Sequence, residues 1–287
     1  MMKETLHRPF EIEVKEMEYF PVKKRKLNFF ELIYIVNGTG IQYVNGNQFS
    51  YRKGNLFLLT PQDSYSFDIT TQTCFLFIRF NEYYVRSKSP HDKDAVQCVE
   101  NILQNASHRP GCILKNKTDK PLIAVLMESI ISEQEHQQIY FTRITEQIVN
   151  TIITIVARNI ALKLPKKIKE NTGELVLEML HFIQQHIFEP HLLNTEKLST
   201  RFSVAPNYLG RYFKKQTGET LQDYITNYKV RLIETRLLHS DMRINEIAIE
   251  LNFTDESHLN RTFKKIKGMS PSAFRKQYTV INTKVPV

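Results

Sequence analysis

Two stretches of the chain carry nearly the same text fifty residues apart. Tyr208 begins "YLGRYFKKQTGETL" and His258 begins "HLNRTFKKIKGMSP". Both place Leu, Arg, Phe, a Lys pair and a Gly at the same offsets. Leu209 and Phe213, like Leu259 and Phe263, are spaced i, i+4, so on a helix they share one inward face. Arg211 and Arg261 then point outward. Gly218 and Gly268 stand where a helix ends in the left-handed conformation that glycine adopts readily. The preceding text repeats as well: "LSTRFSVAPNYL" from Leu198 and "IAIELNFTDESHL" from Ile247, the second one residue longer in its turn. Leu198 and Phe202, and Ile247 and Leu251, are again four apart. Small residues, Ser199 and Ala248, follow the first apolar residue, where two helices must cross closely. Pro206 suits a first helical turn with Ala205 just outside it, and Thr254 is expected as the N-cap of the matching helix. Each copy therefore reads as a helix, a tight turn and a second helix.

Between the copies lies "TLQDYITNYKVRLIETRLLHS", Thr220 to Ser240, helical and amphipathic. Its ~20 residues span about 30 Å at ~1.5 Å each. Neighbouring major grooves on one face of B-DNA are roughly 34 Å apart. A stiff helix of that length can hold two outward-facing helices in successive grooves, so the site need not be palindromic. Arg is suited to the two acceptors of guanine and Asn to the edge of adenine. The pairs Lys214-Lys215 and Lys264-Lys265 lie one turn along, where phosphates run. The charge distribution agrees. Of the net charge of +9, residues 1–162 contribute 19 Lys/Arg against 17 Asp/Glu, residues 163–173 four against one, and residues 174–287 16 against 12. An excess in the C-terminal part suggests a polyanionic partner. The competing readings are generic helical hairpins and a solubilising surface; the repetition of one outward face disfavours them.

Leu198 to Gln277 resembles the DNA-binding domain of the AraC/XylS family of bacterial transcription regulators, above all in "NRTFKKIKGMSPSAFRKQ", Asn260 to Gln277. The resemblance implies a sequence-specific regulator, an activator more than a repressor, with two helix-turn-helix subdomains on double-stranded DNA. Carried over by position, the base-reading set is Asn207, Gly210 and Arg211 in the first recognition helix and Glu256, Ser257, Asn260 and Arg261 in the second. Lys214, Lys215, Thr254, Lys264 and Lys265 would contact phosphates. RNA polymerase is a further partner to be expected, and neither enzymatic activity nor a cofactor is. Two departures stand out. Gly210 has no side chain where a reader usually sits, so the first hairpin would read fewer bases. Asn252-Phe253 replaces the usual Gly-Phe of the second turn, which Asn tolerates because it accepts left-handed backbone. Asp255 and Glu256 would repel phosphates unless one of them accepts from a cytosine amine.

The N-terminal ninety residues have another character. "FFELIYIVNGTGIQYVNGNQFSYRKGNLFLLTP", Phe29 to Pro61, is β-branched and aromatic. Asn37-Gly38, Asn45-Gly46 and Lys53-Gly54 punctuate it, and "TCFLFIRF", Thr73 to Phe80, is another strand. Turns every 8 to 12 residues predict a barrel or sandwich. "ELIYIVNGTG" and "KGNLFLLTP" resemble the cupin-like sensor domain common in the same family, which implies a small-molecule effector. Overall the expectation is α+β: a cupin-like β-barrel with flanking helices, residues 1–163, a linker, 164–173, which includes "PKKIKENTG" from Pro165 to Gly173, and an all-α domain, 174–287. The apolar helix after the barrel sets Ile148, Ile152, Ile155 and Leu162 close to one heptad stripe, a face for a homodimer, unless both its apolar faces are buried within one domain. A barrel filled by its own Phe and Tyr side chains is the alternative to effector sensing.

Other chemistries find little support. No His lies between His7 and His91, and Asn28, Glu31 and Tyr65 stand where metal ligands of a cupin are expected; a carboxylate without imidazoles is a poor transition-metal site. Cys74, Cys98 and Cys112 lack metal-ligand spacing and sit in no pattern of an activated thiol, which a DNA alkyl-transfer repair protein would need. They fit buried thiols in a reducing cytoplasm. His181, His186 and His191, five apart, do not share a helix face, and His258 is expected to face DNA or solvent. Arg8, Lys23, Lys24, Arg25 and Lys26 would favour an anionic ligand at the barrel mouth or form a solvated loop. "MMKETLHRPF" has no apolar run behind its charges, so no signal peptide is expected. Ile148 to Leu164, broken by Asn150, Arg158, Asn159 and Lys163, falls short of a membrane span.

Overall fold

The computed structural model describes residues 10–20, 29–61, 63–81, 111–162 and 174–282, with short pieces at 3–4, 6, 25–27 and 84. The chain divides into two compact units, Met1–Leu177 and Glu178–Val287. Residues 163–173, which hold the expected linker, lie outside the described residues, and the division falls within the helix that follows them.

The first unit is a seven-stranded sheet: β1 Lys3–Glu4, β2 Phe10–Met17, β3 Arg25–Leu27, β4 Phe30–Val44, β5 Asn47–Arg52, β6 Leu56–Leu59 and β7 Ser64–Phe80. The order is β1-β3-β7-β4-β5, with β2 also on β7 and β6 also on β4. The two long strands run antiparallel from Phe30 opposite Phe80 to Val44 opposite Tyr65. One half of β4 pairs with β6 and the other with β5. Asn45-Gly46 and Lys53-Gly54 are turns, as the sequence suggests. Asn37-Gly38 is not. The register with β7 shifts around Asn37, Thr39 and Gly40, so this dipeptide forms bulges inside one continuous strand. Gly38 has φ +100, and a Cβ there would lie 2.6 Å from the Thr73 backbone; one at Gly40 would lie 2.2 Å from the Asp68 carbonyl. Glycine is required at both places, and the bend it permits turns the sheet around its own side chains.

Those side chains are Phe29, Ile33, Ile35, Val44, Tyr51, Phe57, Leu59, Tyr65, Phe67, Phe75 and Phe77. Phe67 lies at the centre, 5.0 Å from Phe75, 5.2 Å from Phe20 and 5.5 Å from Tyr51 between ring centroids. The sheet interior is thus occupied largely by the protein's own aromatic rings.

Two helices follow, α1 Asp119–His136 and α2 Phe141–Ala161. The polar residues that interrupt the apolar text of α2 have a structural task. Asn159 is fully buried; its amide donates to Asp119 and its carbonyl accepts from the backbone of Lys115 and Asn116. Arg158 also bonds to Asp119, so the end of α2 is tied to the start of α1. The stripe expected to meet a second subunit is only partly free. Ile152 and Ile155 are buried inside the protomer and Ile148 is half-buried, while Leu162 is 62% exposed. The two faces of α2 are both apolar because the chain itself covers most of both. Apolar exposure lies elsewhere, at Leu122 and Val125 on α1, at Ile139 and Tyr140 between the helices, and at Ile144 on α2.

The second unit is all helical: α3 Glu174–Gln185, which the division cuts, a 3-10 turn at Pro190–Leu192, α4 Thr195–Phe202, α5 Pro206–Thr217, α6 Leu221–His239, α7 Ile244–Glu250, α8 Glu256–Lys267 and α9 Pro271–Asn282. Its core includes Leu198, Leu209, Phe213, Ile247, Leu251, Leu259 and Phe263, the i, i+4 pairs of both copies apart from the half-buried Phe202.

Candidate nucleic-acid interface

The turns of the two hairpins have one geometry. Ser203 after α4 and Asn252 after α7 both have φ +53. The next residue then donates five positions back: Val204 N to Ser199 O at 3.0 Å, Phe253 N to Ala248 O at 2.9 Å. This is a Schellman closure, which satisfies the last carbonyls of each helix. The small residues at 199 and 248 are thus the acceptors of this bond, besides permitting the crossing. Asn252 does take the left-handed backbone, and its amide donates to the Phe188 carbonyl at 2.9 Å. The extra residue of the second turn changes the cap that follows. Pro206 opens α5 with Ala205 outside it. Asp255, not Thr254, caps α8: its carboxylate accepts from His258 N at 2.7 Å. Thr254 stands one place further out. Asp255 is thereby turned to its own helix, which accounts for one of the two acidic residues at this end.

On α5, Asn207, Gly210, Arg211 and Lys214 recur at i, i+3, i+4 and i+7, and all are exposed, as is Lys215. On α8, Glu256, Ser257, Arg261, Lys264 and Lys265 are exposed and Asn260 is half-buried. Each helix thus gathers its base-facing candidates and its first lysine on one face, with Leu209 and Phe213 or Leu259 and Phe263 buried opposite. Arg211 lies back along α5, its Nε donating to the Asn207 carbonyl at 3.1 Å. Thr254 is exposed beside His258, whose ring lies edge-on to Phe253.

The repeat runs further than its motif. Thr220 caps α6 by accepting from Asp223 N, and Ser270, fifty residues on, accepts from Ala273 N at the start of α9. Phe213 packs edge-on to Tyr224 at 5.7 Å and Phe263 edge-on to Phe274 at 5.4 Å. Each hairpin is therefore braced by a third helix. A capping hydroxyl two residues past the terminal Gly and an aromatic four further on are the signals for it in the text.

α6 is the common support. Arg236 forms a two-pronged pair with Glu250, Glu234 pairs with Lys267 at 2.6 Å, and Arg275 donates to the carbonyls of Leu237 and Met242. Lys229 donates to the Leu251 carbonyl at the end of α7 and lies 5.4 Å from the Phe253 ring; burial holds its pKa below the usual lysine value. Toward the first hairpin, Asn227 bonds to Glu219, and Gln184 of α3 donates to the Tyr224 hydroxyl.

In the first unit, the residues marked as metal-like fall into a different network. Glu31 is fully buried, accepting from the Tyr65 hydroxyl and from Arg79 Nε at 2.7 Å. Arg79 continues to Glu13 at 2.9 Å and Glu11 at 3.7 Å. Despite the cost of burying it, these carboxylates raise the pKa of Arg79 beyond its ordinary value. Glu31 is thus committed to an internal cation. Asn28, Arg8, Lys23, Lys24 and Cys98, and the side chains of Arg25 and Lys26, lie outside the described residues. Burial, then the neighbouring Glu16, pushes the Cys74 thiol up, away from the thiolate a transfer reaction needs. Gln42, opposite Phe67 in the register, is fully buried, and neither of its amide atoms has a partner among the described residues. Nothing in its residue type announces this.

A helix-turn-helix domain model matches residues 198–277, the span marked out by the repeated motif, and a model of the AraC-like ligand binding domain matches residues 15–147. Over 255 residues the chain is 23% identical to the HTH-type transcriptional activator RhaS of Enterobacter sp. (strain 638), covering 86% of this chain and 85% of RhaS. Over 108 residues it is 29% identical to the HTH-type transcriptional regulator YtdP of Bacillus subtilis (strain 168), covering 38% of this chain but only 13% of YtdP. The DNA-binding domain of the global transcriptional factor AdpA, solved in complex with a target DNA, covers 38% of the chain at 23% identity and a TM-score of 0.36. Among the described residues no helix is long and apolar enough to cross a membrane.

Proposed function

The chain belongs to the AraC/XylS family of transcription regulators, and from that premise we propose that it is an activator that places α5 and α8 in adjacent major grooves of one operator. It is a DNA-binding regulator with a ligand-binding domain; the groove assignment, the direction of control and the residue roles are the proposal. What supports it most is that two hairpins with the same turn, the same buried pairs and the same exposed Arg and Lys positions hang on one helix. The 19 residues of α6 span roughly 28 Å at the α-helical rise, a length suited to neighbouring grooves. Asn207, Arg211, Ser257, Asn260 and Arg261 would read bases, and Lys214, Lys215, Lys264 and Lys265 would hold phosphates. Thr254, exposed ahead of the α8 cap, would join them. RhaS, which matches across most of the chain, is described as an activator, and this favours activation through RNA polymerase here. The N-terminal unit would sense a small molecule and join two chains, through a face that includes the exposed Leu122, Val125 and Ile144.

The first test is a pair of variants measured against an operator obtained by binding-site selection. Arg261→Ala should cost about 1–3 kcal/mol on that operator and relax its preference at one position. Lys264→Ala should weaken binding to all duplexes alike and make the salt dependence shallower. Unchanged operator affinity for Arg261→Ala would remove α8 from the role of reader.

A further inference from the structure

The two copies of the repeat differ sharply at one position, exposed in α5 and half-buried in α8. Where α8 carries Asn260, α5 carries Gly210. Glycine elsewhere among the described residues answers to the fold. Gly38 and Gly40 would drive a Cβ into neighbouring backbone, and Gly268 has a left-handed φ of +76. None of these demands exists at Gly210. Its backbone is that of an ordinary right-handed helix, it is the fifth of the twelve residues of α5, and a Cβ built there meets nothing within 4 Å. In such a place glycine weakens a helix relative to alanine, because the unfolded chain loses more freedom on folding. The free protein gains nothing from this residue. It lies on the outward face with Asn207, Arg211 and Lys214, and Arg211 folds back to the Asn207 carbonyl. The result is a strip of naked helix backbone, rimmed by an amide and cations.

We propose that Gly210 is a close-approach contact: here the backbone of α5 itself lies against the operator, deeper in its groove than α8 lies at Asn260. Glycine's remaining use in an unstrained, exposed helix is to let a second surface come nearer than a Cβ allows. The partner chemistry is duplex DNA, a base edge or a sugar at van der Waals distance, flanked by Asn207 and Arg211. The first hairpin then reads through shape and fit at this position, and through side chains only on either side of it. This rests on the reading of α5 as a groove-entering helix.

The experiment uses the full-length protein and an operator selected with it. Gly210→Ala should raise the Tm and weaken operator binding by about tenfold, the scale of one lost specific contact. Binding to an unrelated duplex of the same length should be little changed. Gly210→Asn, the residue of the second copy, should weaken operator binding further. Footprints of both variants should keep the α8 half-element and lose protection at the α5 half-element. Operator affinity that is unchanged or improved in Gly210→Ala overturns the proposal, as does a Gly210→Asn protein that binds more tightly with a new base preference. Arg211→Ala separates this failure from a deeper one. If Arg211→Ala weakens binding and Gly210→Ala does not, only the close approach is wrong. If neither variant changes affinity and the footprint spans one half-element, α5 does not enter a groove, and the adjacent-groove reading falls with it.

Discussion

Glu31 and Arg79 stand opposite each other across β4 and β7, on the face of the sheet that also carries Ile33, Ile35, Phe75 and Phe77. A buried carboxylate is tolerable here because a cation and a hydroxyl meet it. Arg79→Met should therefore destabilise the first unit by about 3–5 kcal/mol, by leaving Glu31 charged and without that cation. Adding Glu31→Leu should restore most of the loss; urea titration of the single and double variants measures both. The same network sets an acid limit. Burial pulls the Glu13 pKa up, but hydrogen bonds from Lys15 and Arg79 and the Arg79 charge outweigh it, so the folded value lies below the ordinary one. A lowered folded pKa adds stability at pH above the unfolded value and loses it as pH falls through the folded one. Thermal scans against pH should show stability falling on the acid side of that range, and Glu13→Gln should make the fall shallower. Glu31 and Tyr65 are visible in the text as polar residues among strand-formers. Arg79 as their partner is not, because the pairing depends on a register across 48 residues and the bulges around Gly38.

At the scale of elements, the hairpins were legible because their constraint is local. Leu and Phe at i, i+4 and a terminal Gly each act within one or two turns, and the repeat states them twice; the helix-starting Pro206 adds a signal in the first copy. What escaped was equally local, but depended on one inserted residue. The longer second turn passes the cap from Thr254 to Asp255. Asp255→Ala should cost about 1 kcal/mol in stability, within the range for an N-cap, while Thr254→Ala should cost far less. Guanidinium denaturation of the full-chain variants, compared side by side, decides between the residues. Asn37-Gly38 failed in the opposite sense. Its dipeptide is a strong hairpin signal, yet β4 continues through it because β7 is long enough to pair on both sides of the bulge. Gly38→Ala should be poorly tolerated, since positive φ and the Thr73 backbone both exclude a side chain.

The molecule as a whole joins a unit whose exposed helix faces announce themselves in the repeat to one whose interior does not. The residues proposed for recognition repeat because, on that reading, the same partner constrains both copies, whereas the interior of the sheet is constrained by packing, which many aromatic sequences satisfy. The α2 stripe shows the limit of periodicity. It identifies Ile152 and Ile155 as buried but not whether a second chain or the same one covers them, and the same chain does. The proposed homodimer must then use other surface, and the exposed Leu122, Val125 and Ile144 supply it. If two chains join there, each brings a pair of the proposed recognition helices, and binding at one operator site raises the effective concentration at the second. Residues 174–287 alone should consequently bind a two-site operator far more weakly than the full chain does, with affinity close to that for a single site. Val125→Glu with Ile144→Glu in the full chain should give the same loss, together with a halved mass in sedimentation. Equal affinity of fragment and full chain at two sites would mean that the four helices act without a dimer, and that the N-terminal unit serves sensing alone.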